Sequence, residues 1–124
     1  MPTREIGRDR WQTFFDEFSQ SRQGALVTIE VIENAQDAPD YEATRLPLTG
    51  ISYDPKGSGA GHIEIMAGTE VGDNVTHVVT QPVHVYHKEG AGLISDEVNA
   101  DEVLEITSSA HPPITYLRFQ KPPS

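Results

Sequence analysis

The sequence predicts an α+β fold in which an N-terminal amphipathic helix packs on a strongly bent antiparallel sheet closed or half-closed into a small barrel, the alternative being an open sheet with the helix across one face. Three observations lead there. An aromatic stripe with helical spacing lies near the N-terminus. The apolar period switches to two from residue 25 onward. A glycine then sits at a change of parity inside one long apolar segment.

Trp11, Phe14, Phe15 and Phe18 fall at i, i+3, i+4 and i+7, which is one face of an α-helix. Gln12, Thr13, Asp16 and Glu17 fall off that face. Asp9 and Gln12 have the spacing of a capping box, and Gly24 is a natural terminator. The helix is therefore expected at about 9–22, with its aromatic face in the core.

Val27, Ile29 and Val31 then alternate with Thr28, Glu30 and Ile32, so a strand is expected at about 25–32. A polar loop fills 33–41. Leu46 and Leu48 share one parity and Ile51 and Tyr53 the other. Gly50 between them reads as a bulge or bend in a strand at about 43–54. Pro47 suggests that part of this strand lies on an edge. Asp54 to Gly61 is glycine-rich and turn-like, and Ile63 and Ile65 mark a strand at about 62–67. Further strands are expected at about 75–80 and 83–88, on either side of Gln81-Pro82. An acidic connection with Glu89, Asp96, Glu97, Asp101 and Glu102 follows. Strands at about 103–107 and 114–120 close the pattern, and the final Lys-Pro-Pro-Ser is expected to fray. The whole chain of 124 residues reads as a single domain.

Composition removes several function classes. There is no cysteine, so disulfides, thiolate catalysis and Cys-type zinc sites are excluded. No apolar run approaches the ~18 residues of a membrane helix, and no signal-peptide block is visible, so the expected location is cytoplasmic. The net charge is −10. Arg4, Arg8, Arg10 and Arg22 balance Glu5, Asp9, Asp16 and Glu17, so residues 25–124 carry the whole excess. Such a surface repels phosphate backbones and argues against nucleic acid as a partner.

No catalytic motif stands out. Gly57-Ser-Gly-Ala-Gly61 precedes a strand, whereas a phosphate-binding loop needs a helix N-terminus behind it. In Asp96-Glu-Val-Asn-Ala-Asp-Glu102, Val98 and Ala100 stand where a calcium loop needs oxygen ligands. The remaining candidates are histidines. His84 and His87 are three apart on a strand, so they point to opposite faces. His77 on the preceding strand could face either one. His77, His84 and His87 thus form the candidate divalent-metal set.

Two resemblances add to this reading. Ala25-Leu-Val-Thr-Ile-Glu-Val-Ile32 and Gly50-Ile-Ser-Tyr-Asp54 resemble the first strand and the strand-two ending of Sm-like proteins, which have SH3-like barrels. Val78-Val-Thr-Gln-Pro-Val-His-Val-Tyr86 falls where their second motif would lie. The Arg-Gly pair and the Asn-bearing loop that contact RNA in that family are absent, so the likeness implies a fold and not RNA binding. Arg4-Glu-Ile, Asp9-Arg-Trp-Gln-Thr-Phe-Phe15, Leu46-Pro-Leu-Thr-Gly-Ile51, Thr76-His77 and Leu117-Arg-Phe119 resemble a family of short bacterial proteins known only as a domain of unknown function. That likeness covers nearly the whole chain and implies no site residues.

The functional expectation is a non-enzymatic interaction module without a cofactor. It would self-associate, or bind a protein partner, through edge strands. The alternative is a small-ligand or divalent-metal-binding protein using His77, His84 and His87.

Overall fold

The computed structural model describes residues 3–34, 36, 38–55, 61–69, 72, 74–89 and 102–120. The glycine-rich run 57–60, the acidic stretch 90–101 and the terminal 121–124 lie outside the described residues. The described residues hold eight strands: β1 Thr3–Ile6, β2 Leu26–Ile32, β3 Asp40–Asp54, β4 His62–Gly68, β5 Asn74–Thr80, β6 Pro82–Glu89, β7 Glu102–Ser108 and β8 Ile114–Gln120. One helix, α1 Trp11–Ser21, follows a 3-10 turn at Arg8–Arg10. The strands form one antiparallel sheet in the order β1-β6-β7-β8-β2-β3-β4-β5.

The helix buries the face that its spacing marks out. Trp11, Phe15 and Phe18 are buried, and Phe14 packs against the same core. Phe18 meets Phe119 of β8 edge-on at 5.1 Å, and Trp11 meets Tyr53 of β3 at 5.1 Å. The helix thereby joins strands far apart in the sheet order. Its N-terminus differs from expectation. No side chain caps it, because the 3-10 turn at Arg8–Arg10 leads straight into α1 and places Asp9 within that turn. Gly24 ends the segment with φ +86, a conformation that glycine adopts without steric cost, and donates to Leu48 O at 3.0 Å.

β3 is the bent element. Its first half pairs with β2 through Leu26↔Pro47, and its second half pairs with β4 from Leu48↔Ala67 onward. Between Leu48 and Gly50 the register shifts, so the parity change at Gly50 is a bulge. Past the bulge the chain also needs a partner on its helix side. Ser19 of α1 supplies it: Ser19 Oγ donates to Ile51 O at 2.9 Å and accepts from Ile51 N at 2.8 Å. Ser19→Ala should leave both backbone groups of Ile51 unpartnered and cost about 1–3 kcal/mol. Urea denaturation checks this, with a lower midpoint expected at an unchanged slope.

The bend folds the sheet so that β5 lies across the core from β8. His77 Nε2 of β5 and Thr115 Oγ1 of β8 are 3.2 Å apart. The two arms enclose Ile29, Ile63, Ile65, Val79, Val85, Leu104, Ile106 and Leu117, all of them buried.

The expected barrel does not close. β1 and β5 end the sheet, and neither pairs with the other. The chain turns a corner at Gln81. This one residue, with φ 50, carries β5 directly into β6. β5 and β6 do not pair with each other, and among the described residues β4 is the only strand paired with β5. The corner is held by Gln81 N donating to Gly61 O at 3.2 Å and Ser109 N donating to Gln81 O at 3.1 Å. β1 was not expected from the pattern. It is four residues long, only Ile6 is buried, and it is defined by its register with β6, from Thr3↔Lys88 to Ile6↔Val85.

Candidate functional site

The three candidate histidines occupy three separate environments. His77 faces the core from β5 against Thr115. Burial pushes its pKa below the ordinary histidine value, and the charge of Glu42 opposes that only in part. His84 lies on the outer face of β6, with Nδ1 2.8 Å from Glu5 Oε2 of β1, and stacks on Tyr86 with ring centroids 5.7 Å apart. His87 is buried on the opposite face, and its Nε2 lies 2.8 Å from Glu102 Oε2. The strand alternation separates His84 from His87 as β geometry requires. Among the described residues, no group of three His, Asp or Glu side chains stands at metal-ligand spacing.

His87 belongs to a cluster that sequence reading missed. Arg22, just beyond α1, donates through Nη2 to Glu102 Oε2 at 2.8 Å and through Nε to Glu102 Oε1. Arg22 also lies over the Phe18 ring at 5.0 Å, while Phe14 and Phe18 each contact His87 edge-on at 6.0 Å. Burial pushes the Glu102 carboxyl up, but hydrogen bonds and charge from Arg22 and His87 outweigh it and hold the group below its ordinary value. The cluster clamps the end of the helix onto β6 and β7. The expectation that Glu102 belongs to a solvated acidic connection is therefore corrected. Its parity carried the signal, because residues 102, 104 and 106 share one face and Leu104 and Ile106 are fully buried.

The two sheet edges differ in chemistry. β1 is short, carries Arg4 and Glu5, and has its Ile6 carbonyl occupied by Trp11 Nε1 at 2.8 Å. A groove of about 490 Å³ separates it from α1, with Arg4, Arg10, Phe14 and Glu17 in its walls. β5 is Asn-Val-Thr-His-Val-Val-Thr, seven residues without charge, proline or glycine. Five of the seven are β-branched, which favours extended pairing. Val78 on its outer face is 39% exposed.

A family model of unknown function, DUF5335, matches residues 2–122. The chain belongs to that family. It is also similar to an uncharacterised protein of Aquifex aeolicus (strain VF5), 26% identical over 95 residues, which covers 77% of this chain and 78% of that protein. No solved structure matches. The DUF5335 match spans every described strand and the helix. No described helix of this DUF5335 protein is long and apolar enough to cross a membrane.

Proposed function

We propose that this DUF5335 protein is a non-enzymatic cytoplasmic interaction module that self-associates by pairing β5 with β5 of a second copy. The observation behind this reading is the edge itself. Natural edge strands are usually blunted by lysine, proline, bulges or brevity, and β5 has none of these. Its neutrality also matters. The chain carries −10, yet two antiparallel copies of β5 bring no charge against charge across the join. A twofold centred on His77 would set Thr76 opposite Val78 of the other copy.

Thr76→Lys/Val78→Lys tests it. Both positions are exposed, so the fold should survive, while lysines would face lysines across the join. Light scattering across concentration and salt should show a mass above the monomer for the parent chain and a monomer for the variant. The parent mass should rise with salt, because screening to a range of ~8 Å near physiological ionic strength weakens repulsion between the acidic surfaces. A parent chain that stays monomeric throughout removes the proposal.

A further inference from the structure

The registers place a repeated pattern on the outer face of the sheet, away from the helix. Glu5 of β1 pairs with Tyr86 of β6, and Tyr86 with Glu105 of β7. Glu105 pairs with Tyr116 of β8, Tyr116 with Glu30 of β2, and Glu30 with Tyr41 of β3. Glutamate and tyrosine thus alternate across six strands in one row. Each glutamate of the row has a basic side chain beside it. His84 Nδ1 lies 2.8 Å from Glu5, Lys88 Nζ 2.9 Å from Glu105 and Arg118 Nε 2.7 Å from Glu30. The Tyr116 ring lies between two of these cations, with Lys88 at 5.9 Å and Arg118 at 5.4 Å.

The row ends at β3, and there the pattern is incomplete. Tyr41 is 57% exposed. Beside it is a cleft of about 290 Å³ lined by Thr28, Glu30, Thr44, Arg45, Arg118 and Gln120. Arg45 holds the left-handed conformation, φ 53, at a bulge where its N–H donates to Thr28 Oγ1 at 3.1 Å. That conformation is disfavoured for a residue with a long side chain, and strain of this kind gathers at functional positions. Among the described residues, the Arg45 guanidinium has no carboxylate partner, although the chain holds 19 acids. Arg118 in the same cleft is taken by Glu30.

We propose that this cleft binds a carboxylate, with the Arg45 guanidinium as its anion-binding group and the Tyr41 ring covering the apolar part of the ligand. The three complete positions of the row show the same chemistry, an acid against a basic side chain beside a tyrosine. A planar monoanion matches the guanidinium fork. A phosphate dianion would bring a second charge towards Glu30, with Arg45 the one cation among the described lining residues not held by a carboxylate. The cleft has room for a group of amino-acid size. Thr28, Thr44 and Gln120 offer neutral hydrogen bonds to such a group.

An amide NMR titration of the full chain tests the proposal. The probes are benzoate, its neutral counterpart benzamide, inorganic phosphate, and a capped peptide bearing one glutamate. Benzoate is expected to give saturable shifts at Tyr41, Thr44 and Arg45 that benzamide does not give. Arg45→Gly keeps the backbone conformation without strain but removes the guanidinium. It should weaken benzoate by at least about ten-fold with no loss of thermal stability. Arg45→Lys keeps the charge without the fork and should fall between. If the peptide binds more tightly than benzoate, the carboxylate comes from an acidic side chain of another chain; if less tightly, from a small molecule. Equal binding of benzamide, tighter binding of phosphate, or benzoate affinity unchanged in Arg45→Gly each overturns the proposal.

Discussion

Phe15→Ala is expected to lower the unfolding free energy by about 3–5 kcal/mol. Phe15 is 0% exposed, at the centre of the stripe that α1 presses onto the sheet. Removing its ring leaves a cavity that the surrounding Ile and Val side chains, already fixed in strands, cannot fill. At about 3–5 °C per kcal/mol for a domain of this length, the melting temperature should fall by roughly 10–20 °C. Trp11→Ala should cost as much by a different route. It removes an indole 1% exposed, the contact with Tyr53, and the hydrogen bond that Nε1 donates to Ile6 O. Trp11→Phe separates the routes, since it keeps most of the apolar burial and loses only the hydrogen bond, at about 1 kcal/mol. Melting curves unchanged in both alanine variants would mean that the helix does not seal the core.

The second large effect is expected at the buried ion cluster. Glu102→Ala leaves Arg22 and His87 without their shared acceptor in a site where the glutamate side chain is 11% and the histidine 7% exposed. Breaking a buried pair costs about 3–5 kcal/mol, and the 35% exposure of Arg22 reduces this to about 2–4 kcal/mol. The same cluster shapes the acid limb of stability. The folded pKa of Glu102 is lowered, so its contribution is fully present above the ordinary carboxylate range and is lost as pH falls through the folded value. His77 acts in the same direction. Its folded pKa is lowered from 6.5 because burial disfavours the charged ring, so stability is full above that value and declines as pH falls below it. Stability measured from pH 8 downward should therefore decline first in the histidine range and again in the carboxylate range. His77→Gln should flatten the first decline and Glu102→Gln the second. A profile that keeps both declines in the two variants would remove these assignments.

The sequence by itself determined the helix and its buried face. Trp11, Phe14, Phe15 and Phe18 have one face available, and nothing but burial suits it. It determined the bulge at Gly50, because a change of apolar parity inside one strand requires an extra residue. It also determined that His84 and His87 oppose each other across β6. These are local consequences of side-chain period and backbone sterics. The tertiary structure alone decided which strands meet. β1 exists because β6 offers it a partner, and its four residues carry too short a pattern to reveal that. The open sheet and the corner at Gln81 were not legible either, because glutamine is not a residue type that announces a positive φ. Glu102 finds Arg22 across 80 positions of chain, and Tyr41 ends a row built from six strands. Such pairings depend on register between distant segments. Register is set by the sum of many weak packing choices around one core, so no single stretch of the chain records it.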